Sequence, residues 1–247
     1  MLVPTVLALS ALSGLASSTL APNFPLSGGT TDLNLTFGTN NVSPPGELIP
    51  RADTVNPPNI TSPVWTSAGR GVVLIVDTDV PRNNTRLQLL HYLASNVTLS
   101  RDNKTLVLPP VASTEASYRQ PSPPAGDIAH AYTVLLFTQP SNFSIPSAFR
   151  QVLIDRAPFN VSAFALATGL GNPLAANYFR VQNTTGTATT TFPPPASTPT
   201  NGTSGRPSAS PFRGAATVDV TTQLEVLHRG SSKIYRGGTS GRDISGR

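Results

Sequence analysis

The sequence predicts a mainly β domain with a few helices near its C-terminal end, and three observations favour this fold class. Pro and Gly are frequent, with 25 and 19 of the 247 residues, while charged residues make up only 12%. Such a composition disfavours helix bundles and coiled coils, which need long, uninterrupted and charge-rich periodic runs. Short apolar segments of strand length recur between Pro-rich loops, and the two segments with helical spacing come last. Strands first and helices late indicate a β-rich α+β domain.

Five segments are predicted to be strands. In the first, Leu33, Leu35 and Phe37 alternate with polar residues, as in a strand with one buried face. The second, residues 72–76, is a continuous apolar run typical of a central strand buried on both faces. The remaining strand candidates are Leu89 to Leu93, Leu106 to Leu108 and Tyr132 to Phe137.

Two later segments are predicted to be helices. Residues 149–153 carry apolar side chains at helical spacing before Pro158 ends the run. Residues 164–170 form the second candidate, which Gly169 and Gly171 close.

The N-terminal 21 residues are predicted to be a signal peptide. They contain no charged residue, and an apolar stretch from Leu2 to Leu15 is followed by small residues. Cleavage after Ala16, Ser18 or Ala21 fits this pattern, although Pro22 counts against the last. No other window approaches the roughly 20 apolar residues that a membrane-spanning helix needs.

Asparagine context indicates secretion independently. Ten of the sixteen Asn residues lie in Asn-X-Ser/Thr acceptor sites, which are useful only in a chain that passes through a glycosylating compartment. We therefore expect a secreted glycoprotein that is extracellular or associated with the cell wall. The predicted glycosylation sites are Asn34, Asn41, Asn59, Asn83, Asn96, Asn103, Asn142, Asn160, Asn183 and Asn201.

Beyond the predicted domain, residues 22–182, the composition changes. Residues 183–214 are mostly Thr, Pro, Ser and Gly, which predicts a disordered stalk, and residues 215–247 are predicted to be a basic, disordered tail. The chain carries a formal net charge of +5, but residues 183–247 hold seven Lys and Arg against three Asp and Glu. The domain itself is nearly neutral and has no basic cluster interleaved with aromatic residues, so nucleic acid is not an expected partner.

Four segments of the domain carry the strongest functional signal. The first, D-T-D-V-P at residues 77–81, ends the central strand, and the second contains His91 five residues before Asn96. The third, P-P-A-G-D-I-A-H-A-Y at residues 123–132, leads into another strand, and L-G-N-P-L-A-A-N-Y-F-R-V-Q occupies residues 170–182. In this order and spacing they resemble the phosphatidylethanolamine-binding protein (PEBP) family, as a secreted, fungal-type member.

The resemblance implies that family's fold, a large central β-sheet packed against a smaller sheet with peripheral helices. It also implies a small anion-binding cavity, and the matching residues are Asp77, Asp79, His91, His130 and Tyr132, with Pro81 and Pro124 in the surrounding loops. Imidazole and phenol groups can donate to a phosphate, and a carboxylate can accept from an ethanolamine ammonium. The expected ligand is a phospholipid headgroup or another small phosphate-type anion, bound more weakly as the pH rises above the pKa of the His residues.

Alternatives remain open from the residues alone. Asp77 and Asp79 would also suit a turn after a strand, and a lone His on an apolar strand is commonly a satisfied core residue. Three positions depart from the family pattern, namely Thr78, Ile128 and Ala131, the last of which replaces an Arg with five fixed donors. The resemblance also allows a different role, a secreted inhibitor of a serine protease or serine carboxypeptidase that acts through its surface.

Catalysis is not expected. The chain has no Cys, which excludes disulfides, thiolate zinc sites and a cysteine nucleophile. It also lacks a G-x-S-x-G nucleophile elbow, an H-E-x-x-H metal motif and a phosphate-cradling Gly-rich loop. We therefore expect a binding protein without a metal or cofactor.

Overall fold

The computed structural model describes residues 19–65, 69–102, 104–110 and 115–195. Most of the predicted signal peptide, the acceptors Asn103 and Asn201, the stalk beyond residue 195 and the whole tail lie outside these residues. Within the described part of the chain, no helix is both long enough and apolar enough to cross a membrane.

The described residues form nine strands and two α-helices. The strands are β1 (Asn34–Phe37), β2 (Asn40–Asn41), β3 (Glu47–Leu48), β4 (Asn59–Thr61), β5 (Gly71–Arg82), β6 (Thr85–Leu99), β7 (Leu106–Val107), β8 (His130–Thr138) and β9 (Ala175–Val181). The helices are α1 (Arg150–Asp155) and α2 (Val161–Thr168), and short 3-10 helices span Arg51–Val55 and Ser147–Phe149.

A six-stranded sheet in the order β3-β9-β8-β5-β6-β7 is the centre of the fold, and a three-stranded sheet in the order β2-β1-β4 packs against it. Neighbours in the large sheet run antiparallel, except that β3 is parallel to β9. This strand-dominated architecture confirms the predicted fold class.

The large sheet is buried on both faces, as the apolar run at residues 72–76 predicts. Val73 and Ile75 pack in a core between the two sheets. Val72 and Leu74 pack in a second core that includes buried residues of both helices and the N-terminal segment. Because successive side chains of a strand point to opposite faces, only a strand between two apolar layers can be apolar throughout.

The two helices lie where the sequence predicts them. Asn160 caps α2, since its side chain accepts a hydrogen bond of 2.9 Å from the amide of Ala163. Gly169 ends the helix in a left-handed conformation with φ of 70°, a conformation that Gly adopts without a steric cost.

Three features differ from the sequence-based expectations. Strand β9 falls in the fourth motif, for which no secondary structure is predicted, and β2 to β4 are too short to give a periodic signal. Ala21 and Phe24 are buried in the second core, beside the predicted cleavage sites. Residues 183–195, the described part of the predicted stalk, contact the domain through hydrogen bonds from Arg86 to Pro193 and Pro194.

Candidate functional site

A cavity of about 290 Å³ lies where β5, β6 and β8 meet the loop that precedes β8. Six of the seven predicted binding residues line it, namely Asp77, Pro81, His91, Pro124, His130 and Tyr132. The other lining residues are Val80, Leu89, Arg119, Gln120 and Ser122. The structure thus brings together four polar side chains from three separate segments of the sequence, and it does not place Asp79 with them.

Strand alternation and one irregularity position the polar side chains. Tyr132 lies opposite Asp77 in the β5–β8 pairing and belongs to the core between the sheets, so His130, two residues earlier, lies on the same face. His91 reaches this side differently. Tyr92 pairs with Ile75 while Leu90 pairs with the next residue of β5, which leaves His91 as the extra residue of a bulge.

A second irregularity separates Asp79 from Asp77. Between Asp77 and Val80 strand β5 holds one more residue than the facing stretch of β6, so the simple alternation that would align the two carboxylates is lost. Asp79 lines a different groove together with Ala131, whose amide donates to Oδ2 of Asp79 at 2.8 Å. Burial, together with the charge of Asp77, raises the pKa of Asp79 although the Ala131 bond opposes it.

His130 is held between two carboxylates. Its Nδ1 lies 2.8 Å from Oδ2 of Asp77, and its Nε2 lies 3.0 Å from Oδ2 of Asp127. A carboxylate accepts hydrogen bonds, so both contacts together require the doubly protonated imidazolium. Burial is the largest influence and by itself lowers the pKa of His130, but the hydrogen bonds and charges of the two carboxylates outweigh it and raise the pKa.

Asp127 and Arg86 complete this network, and sequence reasoning missed both. Two guanidinium nitrogens of Arg86 donate to the two oxygens of Asp127, at 2.7 and 3.1 Å, and both side chains are almost fully buried. Burial of Asp127 opposes its ionisation, but the bonds from Arg86 and His130 outweigh burial and lower its pKa. Asp127 lies inside the third motif, three residues before His130, whereas Arg86 carries no signal that distinguishes it from a surface arginine.

His91 has one ring nitrogen engaged. Its Nδ1 donates to the carbonyl of Arg119 at 2.8 Å, which fixes the tautomer because a carbonyl can only accept. Its Nε2 lies 4.0 Å from Oδ2 of Asp77, beyond hydrogen-bond distance. Burial lowers the pKa of His91, and the charges of Arg119 and His130 add to this effect against the opposing charge of Asp77. His91 is therefore the uncharged imidazole of the cavity at neutral pH.

Tyr132 forms the inner wall of the cavity. Its ring stacks on Phe179 with centroids 5.3 Å apart, and it makes a T-shaped contact with the His91 ring at a centroid distance of 5.0 Å. Burial raises the pKa of Tyr132, and the neighbouring Asp77, to which the phenol is hydrogen-bonded, raises it further. The phenol therefore stays protonated, and its donor is directed to Asp77.

Arg119 contributes the remaining charge of the cavity. Its amide donates to the backbone carbonyl of His91 at 2.9 Å and its own carbonyl accepts from the His91 imidazole, so the backbone of this loop residue is fixed to His91 by two hydrogen bonds. The formal charges of Asp77, Asp127, His130 and Arg86 cancel as a group. Arg119 is then the remaining charged residue among the described lining residues of the cavity. The sequence gives no signal for this role, since a single Arg in a Pro-rich loop is common.

Metal binding finds no support in the described residues, among which no group of three or more His, Cys, Asp or Glu could hold an ion. The carboxylates of the cavity are instead bound to His130, Arg86 and backbone amides. The arrangement can orient donors and charge toward a small polar ligand.

The fold and the cavity define a class of protein, a β-sheet domain with a small cavity at one end of its central sheet, into which a few polar side chains converge. Residues 34–189 match the family described as phosphatidylethanolamine-binding protein, and the chain belongs to this family. This match confirms the resemblance drawn from the four motifs.

Two relatives show how similar individual proteins are to this chain in sequence. Over 117 residues the chain is 37% identical to "Phomoidride biosynthesis cluster protein N" of Fungal sp. (strain ATCC 74256), which covers 46% of this chain and 53% of that protein. It is 29% identical over 176 residues to a "26 kDa secreted antigen" of Toxocara canis, covering 68% of this chain and 63% of that protein. The chain therefore spans about half to three fifths of the length of these relatives.

Solved structures of the family are also similar. A phosphatidylethanolamine-binding protein from Plasmodium vivax is 14% identical, with a TM-score of 0.46 over 62% of this chain and 87% of that one. A carboxypeptidase Y inhibitor complexed with its cognate proteinase is 19% identical, with a TM-score of 0.46 over 61% of this chain and 82% of that one.

Proposed function

We propose that this protein is a secreted PEBP-family protein that binds a small phosphate-type anion, such as a phospholipid headgroup, in the cavity of about 290 Å³. The observation that supports the proposal is that Arg119 and His91 share this cavity while its other formal charges cancel. A guanidinium forms charge-assisted hydrogen bonds to phosphate oxygens, and these are stronger than bonds between neutral groups.

The donors in this proposal differ from those that the sequence analysis favours. The two ring nitrogens of His130 are used by Asp77 and Asp127, and the Tyr132 phenol is directed to Asp77. The ligand is therefore held by Arg119 and, once its Nε2 is protonated, by His91. Asp77 already accepts from three groups, so an ammonium group on the ligand adds little.

Isothermal titration calorimetry with three probes tests the proposal. Inorganic phosphate and O-phosphoethanolamine are expected to bind with comparable affinity, whereas ethanolamine alone releases no heat of binding. Arg119→Gln should weaken phosphate binding by about 10-fold or more, which corresponds to the loss of a hydrogen bond to a charged group. Arg150→Gln is the matched control, because Arg150 is an exposed residue of α1 that does not line the cavity. Equal phosphate affinity in the wild type and Arg119→Gln would contradict the proposed site.

Vesicles distinguish a lipid headgroup from a free anion. The protein is sedimented with phosphatidylethanolamine vesicles and, for comparison, with phosphatidylcholine vesicles. It should co-sediment with the phosphatidylethanolamine vesicles only if the headgroup can reach the cavity. Binding of free phosphate without vesicle capture would identify a soluble anion as the ligand. Capture by both vesicle types, undiminished in Arg119→Gln, would place lipid binding outside the cavity.

Secretion as a glycoprotein is part of the proposal. Of the eight described acceptors, seven are exposed and Asn183 is half-buried, so each is at the surface where a glycan can be attached. A shift in mass after treatment of the native protein with an N-glycanase is the expected result.

The inhibitor alternative stays a prediction from the resemblance. Its test is inhibition of a serine carboxypeptidase by the purified protein at nanomolar concentration, with Arg119→Gln inhibiting equally because the cavity would not be involved.

A further inference from the structure

The guanidinium of Arg86 has all five of its N–H donors engaged. Its Nη1 donates to the carbonyl of Asp79 and to Oδ2 of Asp127, and its Nη2 donates to Oδ1 of Asp127. Its remaining donors, one on Nη2 and the one on Nε, reach the carbonyls of Pro193 and Pro194 at 2.7 and 3.2 Å. An arginine side chain has five donors, so none is left for solvent or ligand.

Two of these five acceptors belong to one segment, residues 186–195, which we call the C-terminal strap. The strap also packs closely on the loop before β8, where a Cβ atom at Gly126 would lie only 2.4 Å from Cβ of Ala188. Gly126 has φ of 79°, so both its conformation and this contact favour Gly. Farther along, Phe192 and Pro193 lie near Pro81 and Pro124, which also line the cavity.

An unbroken set of contacts leads from the strap to the cavity. The guanidinium that binds the strap carbonyls also holds Asp127, and Asp127 holds Nε2 of His130 at 3.0 Å. The other nitrogen of His130 holds Asp77, which faces His91 across 4.0 Å. The side chains of Arg86, Asp127 and His130 are each at most 3% exposed, so solvent cannot readily replace a lost partner.

We propose that Arg86 is a positioning residue that makes the arrangement of His130 in the cavity depend on the docked C-terminal strap. The inference rests on the proposed function and adds a regulatory element to the same site. When the strap is released, Arg86 loses two acceptors and the cover that excludes water from its guanidinium. Asp127 is then held less firmly, and His130 loses a fixed partner at Nε2.

The protonation of His130 reports this coupling in the absence of any ligand. The sequence contains three His residues, so ring resonances of the ¹³C-labelled protein can be assigned by single substitutions. Ala188→Trp is designed to displace the strap, because Cβ of Ala188 already lies so close to Gly126 that a Cβ there would be only 2.4 Å away. Arg86→Met removes the guanidinium and keeps a long apolar side chain. In Ala188→Trp we expect the pKa of His130 to fall by about half a unit or more, because Asp127 is then held less firmly as its partner. In Arg86→Met we expect it to rise by about as much, because a neighbouring cation that shares Asp127 is lost.

The matched control is Thr184→Trp, an exposed position just before the strap, for which the pKa of His130 should remain that of the wild type. His228, outside the described residues, serves as the reference resonance. A wild-type pKa for His130 in either Ala188→Trp or Arg86→Met, with native amide spectra, would overturn the proposal. So would an equal shift in Thr184→Trp. Because no anion is present, these outcomes are independent of whether phosphate binds.

Discussion

Nδ1 of His130 donates to Oδ2 of Asp77 across 2.8 Å, within a network in which both partners are buried. With Asp127 on the opposite nitrogen, the imidazolium of His130 is neutralised from both sides. This residue therefore shapes the cavity and fixes Asp77, and the proposed anion site relies instead on Arg119 and His91.

The contribution of His130 to the free energy of unfolding should decrease as pH rises. Its pKa is raised in the folded state, so its contribution to the free energy of unfolding is fully present below the unfolded value of about 6.5 and is lost as pH rises through the higher folded pKa. Urea unfolding at about pH 6 and about pH 9 should show the stability difference between wild type and His130→Gln shrinking as pH rises. A difference that stays constant would contradict the raised pKa.

The contribution of His91 to the free energy of unfolding should change with pH in the opposite direction to that of His130. The pKa of His91 is lowered on folding, so the unfolded chain binds more protons near the unfolded value of about 6.5. The neutral imidazole therefore contributes stability that is present above this value and is lost as pH falls through the lower folded pKa. The loss of stability on acidification, followed by urea unfolding, is expected to be smaller in His91→Gln than in the wild type.

Anion affinity should also depend on His91. Protonation at Nε2 adds a charged donor, so affinity should rise as pH falls through the lowered pKa of His91, below about 6.5. Sulfate is a suitable calorimetric probe because its own charge is constant over this range. His91→Gln should remove the pH dependence and leave the binding due to Arg119, whereas a pH dependence equal to that of the wild type would identify another titrating group.

The two carboxylates of the D-T-D-V-P motif should behave differently. Asp77→Asn breaks a buried ion pair with His130, which typically costs about 3 kcal/mol or more in the free energy of unfolding. Asp79→Asn keeps an oxygen for the amide of Ala131, and burial already raises the pKa of Asp79, so the cost should stay below about 1 kcal/mol.

Phosphate affinity provides a second comparison of the same two variants. Asp79→Asn should bind as the wild type does, because Asp79 does not line the cavity. A marked loss of affinity in Asp79→Asn with unchanged stability would show that the two carboxylates act together in the ligand site.

Much of the central sheet could be predicted from the sequence because its strands are long and buried on both faces. The apolar run at residues 72–76 and the segment before Phe137 become β5 and β8. Strands β2 and β3 have two residues each, too few for any periodicity to show.

Of the candidate site, only residues within the four sequence motifs could be predicted. The motifs identify His130 and Asp77, but side-chain direction at His91 and Asp79 depends on bulges in β5 and β6 that no periodic pattern reveals. Arg86 is brought to the network by tertiary packing alone. It supplies a guanidinium to Asp127 in a chain in which Ala131 replaces the Arg of the family motif.

The position of signal-peptide cleavage can be predicted more narrowly from the structure. Thr19 and Ala21 are buried, and the Thr19 hydroxyl donates to the carbonyl of Gly29. Removal of residues 19–21 would expose this part of the second core, so cleavage should fall after Ala16 or Ser18. Mass spectrometry of the N-terminal peptide of the secreted protein measures this directly. A mature chain that begins at Pro22 would contradict the prediction, because the buried side chains of Thr19 and Ala21 would then be absent from the folded protein.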